Sequence, residues 1–170
     1  MIVALLGYMG SGKSTVGKQL AETLDYEFHD LDSLIEKKEQ KSISKIFEER
    51  GEIYFRKLES EVLVETLNSK REIVLALGGG TPCYASNMQK LQNGNTISIY
   101  LKLSITELVN RLSNEQWQRP LIREIPIKEL PEFIGKHLFE RGFFYNQADK
   151  ILEVDGKSVA EQVTAIKSLL

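Results

Sequence analysis

Much that would place this chain outside the cell, in a membrane or on a nucleic acid is missing from it. A single cysteine, Cys83, excludes an internal disulfide, suits a reducing compartment, and is expected to be an inert small residue. No apolar run approaches the roughly 20 residues needed to cross a bilayer. The first apolar stretch, residues 2–6, lacks the basic flank and the length of a signal peptide and passes straight into a glycine-rich loop. A cytoplasmic protein with no membrane partner is therefore expected. A basic excess is also missing: 22 Lys and Arg stand against 24 Asp and Glu, a net charge of −2 that leaves no concentrated patch for nucleic-acid phosphates. There is no internal repeat, low-complexity tract or interdomain linker, and 170 residues with 42% hydrophobic content can bury one core. The expectation is one domain over residues 1–170, acting on small molecules as a monomer.

What is present begins at the N-terminus. Ile2 to Leu6 is a run of strand-forming residues that stops at Gly7, and the next stretch, Gly7-Tyr8-Met9-Gly10-Ser11-Gly12-Lys13-Ser14, fits the P-loop template G-x-x-x-x-G-K-[ST]. Glycines let such a loop turn its N–H groups inward, and the following helix adds its positive end. The lysine reaches the β- and γ-phosphates and the serine hydroxyl ligates Mg²⁺. A bound nucleoside triphosphate would find each group it needs here.

Further along, strand and helix patterns alternate. Residues 14–24 carry Val16, Leu20 and Leu24 on one stripe, and residues 26–29 read as a strand ending in Asp30-Leu31-Asp32. Strand–helix–strand implies a parallel sheet with its ligand edge at the carboxyl ends of the strands, which brings both aspartates beside the P-loop. Helices follow over residues 31–38, from a Ser42 cap, and over 52–67 after an interruption at Gly51. A buried strand at 72–77 runs into Gly78-Gly79-Gly80. A short helix ending near Asn93, a strand at 96–101 and a capping-box helix start at Ser104–Glu107 come next. Residues 113–126 are polar, hold two prolines and show no periodicity, as lids do. Helix returns from Glu129, a last strand occupies 150–154, and a helix capped by Ser158 and Glu161 closes the chain, with Val159, Val163, Ile166 and Leu170 on its buried stripe.

Guanine-reading switch proteins need an Asn-Lys-x-Asp element, and none occurs, so a small-molecule kinase is the better class. Phosphoryl transfer needs alignment, charge neutralisation and exclusion of water. Asp30 and Asp32 offer one carboxylate for a Mg²⁺ shell and one for a substrate hydroxyl, although Asp30 also suits a helix N-cap. Arg56 and Arg141 are candidates for a carboxylate clamp, and Arg119 for a lid cation over the phosphates.

Taken together, the P-loop, Asp30-x-Asp32, Phe55-Arg56-x-x-Glu59, Gly78-Gly79-Gly80, Arg119-Pro120-Leu121 and Arg141-x-x-x-Tyr145 resemble the shikimate kinase family, in family order and over nearly the whole chain. That resemblance implies an α/β protein with the three-layer αβα P-loop kinase fold. It would have a five-stranded parallel sheet, a helical substrate-binding flap over about residues 31–60 and a mobile lid over about 112–126. It implies ATP-dependent phosphorylation of the shikimate 3-hydroxyl with Mg²⁺. Gly10, Ser11, Gly12, Lys13, Ser14 and Thr15 would hold the ATP phosphates, Ser14 and Asp30 the metal. Asp32 would take the shikimate hydroxyl, Arg56 and Arg141 its carboxylate, and Gly78, Gly79 and Gly80 would approach its ring. Glu59 would orient Arg56, Arg119 would act from the lid, and Arg111 and Lys157 would flank the adenine. Phe143 replaces a proline common in the family, and Gly156-Lys157 replaces a frequent arginine. Two alternatives share the cradle: another small-molecule kinase such as a gluconate kinase, and a non-catalytic ATP-binding regulator.

Overall fold

Every residue of β1 (Ile2–Leu6) is buried, because β1 is the central strand of a parallel sheet covered on both faces. The computed structural model describes residues 1–92, 94–119 and 121–170. Its sheet has the order β2-β3-β1-β4-β5, with β2 at Glu27–Asp30, β3 at Ile73–Ala76, β4 at Thr96–Lys102 and β5 at Lys150–Glu153, all parallel. Alternate β1 side chains feed different layers, as the two-residue period of a strand requires. Val3 and Leu5 pack with α1 (Lys13–Leu24), α5 (Ile105–Glu115), α6 (Leu130–Tyr145) and α7 (Val159–Lys167), through Leu20, Leu112, Ile134 and Ile166 among others. Ile2, Ala4 and Leu6 pack with α2 (Leu31–Glu39), α3 (Ile43–Leu67) and α4 (Asn87–Leu91), through Ile35, Leu63 and Leu91. Burial of each such leucine or isoleucine is worth roughly 1.5–3 kcal/mol, so the three-layer arrangement is held from both sides of one strand. Among the described residues no helix is long and apolar enough to cross a membrane.

The register sets the ligand edge. Asp30 lies beside Ala76 and Ala76 beside Leu5, so the carboxyl ends of β2, β3 and β1 finish level with one another. Directly beyond them come the first turn of α2, the glycine triplet and the P-loop.

The predicted elements recur, with three differences. The polar stretch after residue 112 is more ordered than its composition suggests. Helix α5 runs through Glu115, a 3₁₀ turn covers Gln116–Gln118, and Ile122 is fully buried while its carbonyl accepts from Gln116 Nε2 at 2.7 Å. The box expected at Ser104 is only half formed. Ser104 Oγ accepts from the Glu107 N–H, but the Glu107 carboxylate turns to Arg111, and Asp155 accepts from the Ser104 N–H instead. Helix α7 stops at Lys167, and Leu170 lies beyond it at the surface, off the buried stripe. The interruption expected at Gly51 is present as a kink inside α3, where its φ of 79° and ψ of 175° are not helical. The short helix expected to end near Asn93 is α4, which ends at Leu91 with Gln92 as its C-cap; Asn93 itself and the proline of Arg119-Pro120-Leu121 lie outside the described residues.

Candidate active site

The loop between β1 and α1 closes as its sequence demands. Gly10 and Gly12 take φ values of 79° and 90°, a region costly for any residue with a Cβ, and Gly12 is the N-cap of α1. Lys13 Nζ donates to the carbonyls of Gly7 at 2.9 Å and Tyr8 at 3.0 Å, which holds the ammonium inside the cradle. Burial lowers its pKa to about 8, against an upward pull from Asp32 and Asp30. Ser11 is buried, while Ser14 and Thr15 are exposed at the start of α1.

Asp30 serves two structures at once. Its Oδ1 caps α2 by accepting from the N–H groups of Asp32 and Ser33, and its Oδ2 accepts from Ser14 Oγ at 2.8 Å. Asp32, in the first turn of α2, is half-buried, and its pKa is pushed up to about 6. Burial is the main cause, helped by Asp30 and Glu59 and opposed by Lys13.

The glycine triplet is glycine because side chains crowd it. A Cβ at residue 78 would lie 2.9 Å from Thr81 Oγ1 and 3.1 Å from Asp32 Oδ1. At residue 79 it would meet Arg141 Nη1 at 3.3 Å, and at residue 80 Arg56 Nη2 at 2.7 Å. Two guanidinium groups from α3 and α6, 85 positions apart in sequence by their numbers (141 − 56), thus press on successive residues of one turn. Arg56 Nη1 donates to Glu59 Oε2 at 2.8 Å, and Glu59, itself buried, also accepts from Thr81 Oγ1 at 2.6 Å.

A cavity of about 550 Å³ opens along this edge, and its walls include Gly12, Lys13, Ser14, Asp30, Asp32 and Gly79. Arg111, Arg119 and Lys157 line it from the other side. Arg111 is held by Glu107 at 2.9 Å, Arg119 by Glu115 at 2.7 Å, and Lys157 Nζ donates to the Glu153 carbonyl at 2.8 Å. Arg56 instead borders a second cavity, outside α3, and Arg141 is placed by its approach to Gly79 and to the Tyr8 ring, 5.6 Å away. Of the anticipated site residues, those of the P-loop other than Ser11, both aspartates, Gly78, Gly79, Arg111, Arg119 and Lys157 line this one cavity, whereas Ser11, Arg56, Gly80 and Arg141 do not.

The family model described as shikimate kinase matches residues 9–170. The chain belongs to the shikimate kinase family. A shikimate kinase of Flavobacterium johnsoniae is 48% identical over 168 residues, covering 99% of this chain and 98% of that protein. The crystal structure of shikimate kinase from Bacteroides thetaiotaomicron superposes with a TM-score of 0.92 at 34% identity, over 99% of this chain and 97% of that one. Shikimate kinase from Acinetobacter baumannii, solved in complex with shikimate, superposes at 0.87 with 32% identity, over 99% and 91% of the two chains.

Three supporting contacts of this shikimate kinase family site were not anticipated. Tyr145 is fully buried and its hydroxyl donates to the Gly79 carbonyl at 2.5 Å, pinning the turn from below. Tyr8 OH and His137 Nδ1 lie 2.9 Å apart, tying the P-loop to α6. Thr81 fixes Glu59 and through it Arg56. The first two join segments far apart in sequence, for which no local spacing gives a signal. Thr81 directly follows the triplet, and a hydroxyl at that place was the available clue.

Proposed function

We propose that this protein transfers the γ-phosphoryl group of ATP to the 3-hydroxyl of shikimate, giving shikimate 3-phosphate and ADP on the route to chorismate and the aromatic amino acids. Membership of the family supports this, and one observation carries it to the site: two arginines converge on the glycine turn that also abuts Asp32 and the P-loop cavity. A cyclic carboxylate with neighbouring hydroxyls fits that spacing of charge. Gluconate is also a hydroxylated carboxylate, and the family match over residues 9–170 favours shikimate over it.

The chain is read as one domain, its P-loop at residues 7–14, its substrate flap near 31–60 and its lid near 112–126. Gly10, Ser11, Gly12, Lys13, Ser14 and Thr15 hold the ATP phosphates. Arg56 and Arg141 bind the carboxylate and fix the ring against Gly78, Gly79 and Gly80. Asp32 orients the acceptor hydroxyl and takes its proton as the new O–P bond forms and the bond to the ADP oxygen breaks. Lys13 and Arg119 neutralise charge on the transferring group, and Arg111 and Lys157 flank the nucleotide base. The Ser14 hydroxyl and the Asp30 carboxylate, 2.8 Å apart, are hard oxygen donors suited to Mg²⁺, directly or through its water. When bound with ATP, Mg²⁺ would supply charge neutralisation across the phosphate oxygens. Cytoplasmic location and a monomeric state complete the reading.

The test is an assay of ADP release with ATP and Mg²⁺ in three parallel arms: shikimate, gluconate and no acceptor. Shikimate-dependent turnover is expected. Turnover with gluconate alone would replace the acceptor, and ATP binding without turnover in any arm would mark a regulator. In the same assay Arg56→Ala is expected to raise the KM for shikimate at least about thirty-fold, since it removes a charged partner from a buried pair. The KM for ATP should stay near its starting value. An unchanged shikimate KM would remove Arg56 from the clamp.

A further inference from the structure

The segment after the glycine triplet is built more tightly than a connection needs. A 3₁₀ turn at Thr81–Cys83 leads to Tyr84, and then Ala85 and Ser86 take φ values of 50° and 56°. Two consecutive residues with a Cβ in the left-handed region are disfavoured and persist only where surrounding contacts hold them. Those contacts are present. The Asn87 N–H donates to the Tyr84 carbonyl at 2.9 Å, and Asn87 Nδ2 donates to the Thr81 carbonyl at 2.9 Å. Ser60 Oγ donates to Asn87 Oδ1 at 2.8 Å, and Lys90 Nζ donates to the Ala85 carbonyl at 2.8 Å. Asn87 and Thr81 are fully buried.

The result of this turn is the position of the Tyr84 ring, whose centroid lies 4.1 Å from Arg56 Cζ. Glu59 grips one edge of the same guanidinium through Nη1. A single in-plane hydrogen bond leaves a planar group free to roll about that bond, whereas a ring stacked on its face fixes the plane. Glu52 stands 3.6 Å from Arg56 Nε and is itself largely exposed, so it restrains the group weakly. Tyr84 and Arg56 both line the cavity of about 950 Å³ outside α3, with the guanidinium over the ring. Covering that face lowers the local dielectric around the charge and strengthens its attraction to an anion on the free edge, beside Gly80.

We propose that Tyr84 is a positioning residue that sets the plane of the Arg56 guanidinium for the substrate carboxylate, and that the strained Ala85-Ser86 turn exists to hold its ring there. The inference rests on the reading of Arg56 as a shikimate carboxylate ligand. It predicts an effect that travels through Arg56 alone. The interaction comes from the ring face, so the phenol hydroxyl is dispensable.

Steady-state kinetics on the full chain test it. Tyr84→Leu is expected to raise the KM for shikimate roughly 3- to 30-fold, with kcat and the KM for ATP within about twofold of wild type. Tyr84→Phe is expected to recover the wild-type shikimate KM. Tyr84→Met is a second non-aromatic replacement at this part-exposed position and carries the same expectation as Tyr84→Leu if that variant fails to fold. In an Arg56→Ala background, Tyr84→Leu should add nothing, because the two act on one contact. Wild-type shikimate KM in both non-aromatic variants overturns the inference. So does a Tyr84→Phe as impaired as Tyr84→Leu, or a Tyr84→Leu penalty that persists without Arg56. A wild-type protein that ignores shikimate overturns the reading of the site and the inference with it, whereas a shikimate-active wild type beside unaffected Tyr84 variants overturns the inference alone.

Discussion

Asp32→Asn is expected to lower kcat by about 10²–10⁴ while leaving the KM for ATP within a few-fold, because it removes a proton acceptor without touching the phosphate cradle. The same variant is expected to be more stable than wild type at neutral pH. Burial, with Asp30 and Glu59 close by, pushes the Asp32 pKa from its ordinary 3.8 to about 6. The folded chain therefore holds that proton more tightly than the unfolded one. Between about pH 4 and pH 6 the folded state binds the excess proton, so wild-type stability falls as pH rises through that window. Above it the wild type carries the whole cost of a buried charge, and Asn carries none. Thermal unfolding of the two proteins at pH 4 and pH 8 measures this directly: the gain in Tm for Asp32→Asn should be full at pH 8 and nearly absent at pH 4. A kcat within tenfold of wild type would remove Asp32 from proton transfer. A Tm gain of equal size at both pH values would show that its carboxylate is not disfavoured by folding.

That pairing of lost rate with gained stability is the usual mark of a group held in place for chemistry rather than for the fold. It also explains which parts of the site could be read from the chain. The P-loop is legible because its groups are contiguous and each glycine answers to a backbone need. Asp30 and Asp32 are legible because the end of a parallel strand fixes where they arrive. Arg111 lies four residues after Glu107 on α5, a spacing at which helical side chains meet, so its partner was open to reading from sequence; Arg119 meets Glu115 at the same spacing but in extended backbone beyond the helix, where that rule gives no signal. Other contacts carry no such signal. Tyr145 reaches the Gly79 carbonyl across 66 positions, and Tyr8 meets His137 across 129. Each depends on how α6 docks on the sheet, a consequence of packing between layers that no local pattern encodes. Glu107 shows the converse, since its capping-box spacing is correct but the nearer charge of Arg111 takes the carboxylate.

Arg119→Ala is expected to reduce kcat about 10²–10³-fold, with a smaller change in the KM for shikimate. Arg119 sits in a 550 Å³ cavity with Lys13 and Ser14, and its charge is near enough to Lys13 to press the ammonium toward its neutral form. Two cations that repel one another across a shared cavity are favoured together only when an anion lies between them, and a triphosphate in transfer is such an anion. The arginine is also held in a way that permits exchange. Its partner Glu115, at the end of α5, is partly exposed, so their ion pair is worth roughly 0–1 kcal/mol and yields readily to a phosphate oxygen. Glu115→Gln should accordingly alter kcat only a few-fold, while Arg119→Lys should recover little, since a single ammonium does not reproduce the planar fork of donors. Measuring kcat and both KM values across the three variants separates the roles. A loss confined to the KM for ATP would make Arg119 a ground-state phosphate ligand, and full recovery by lysine would reduce its part to charge alone.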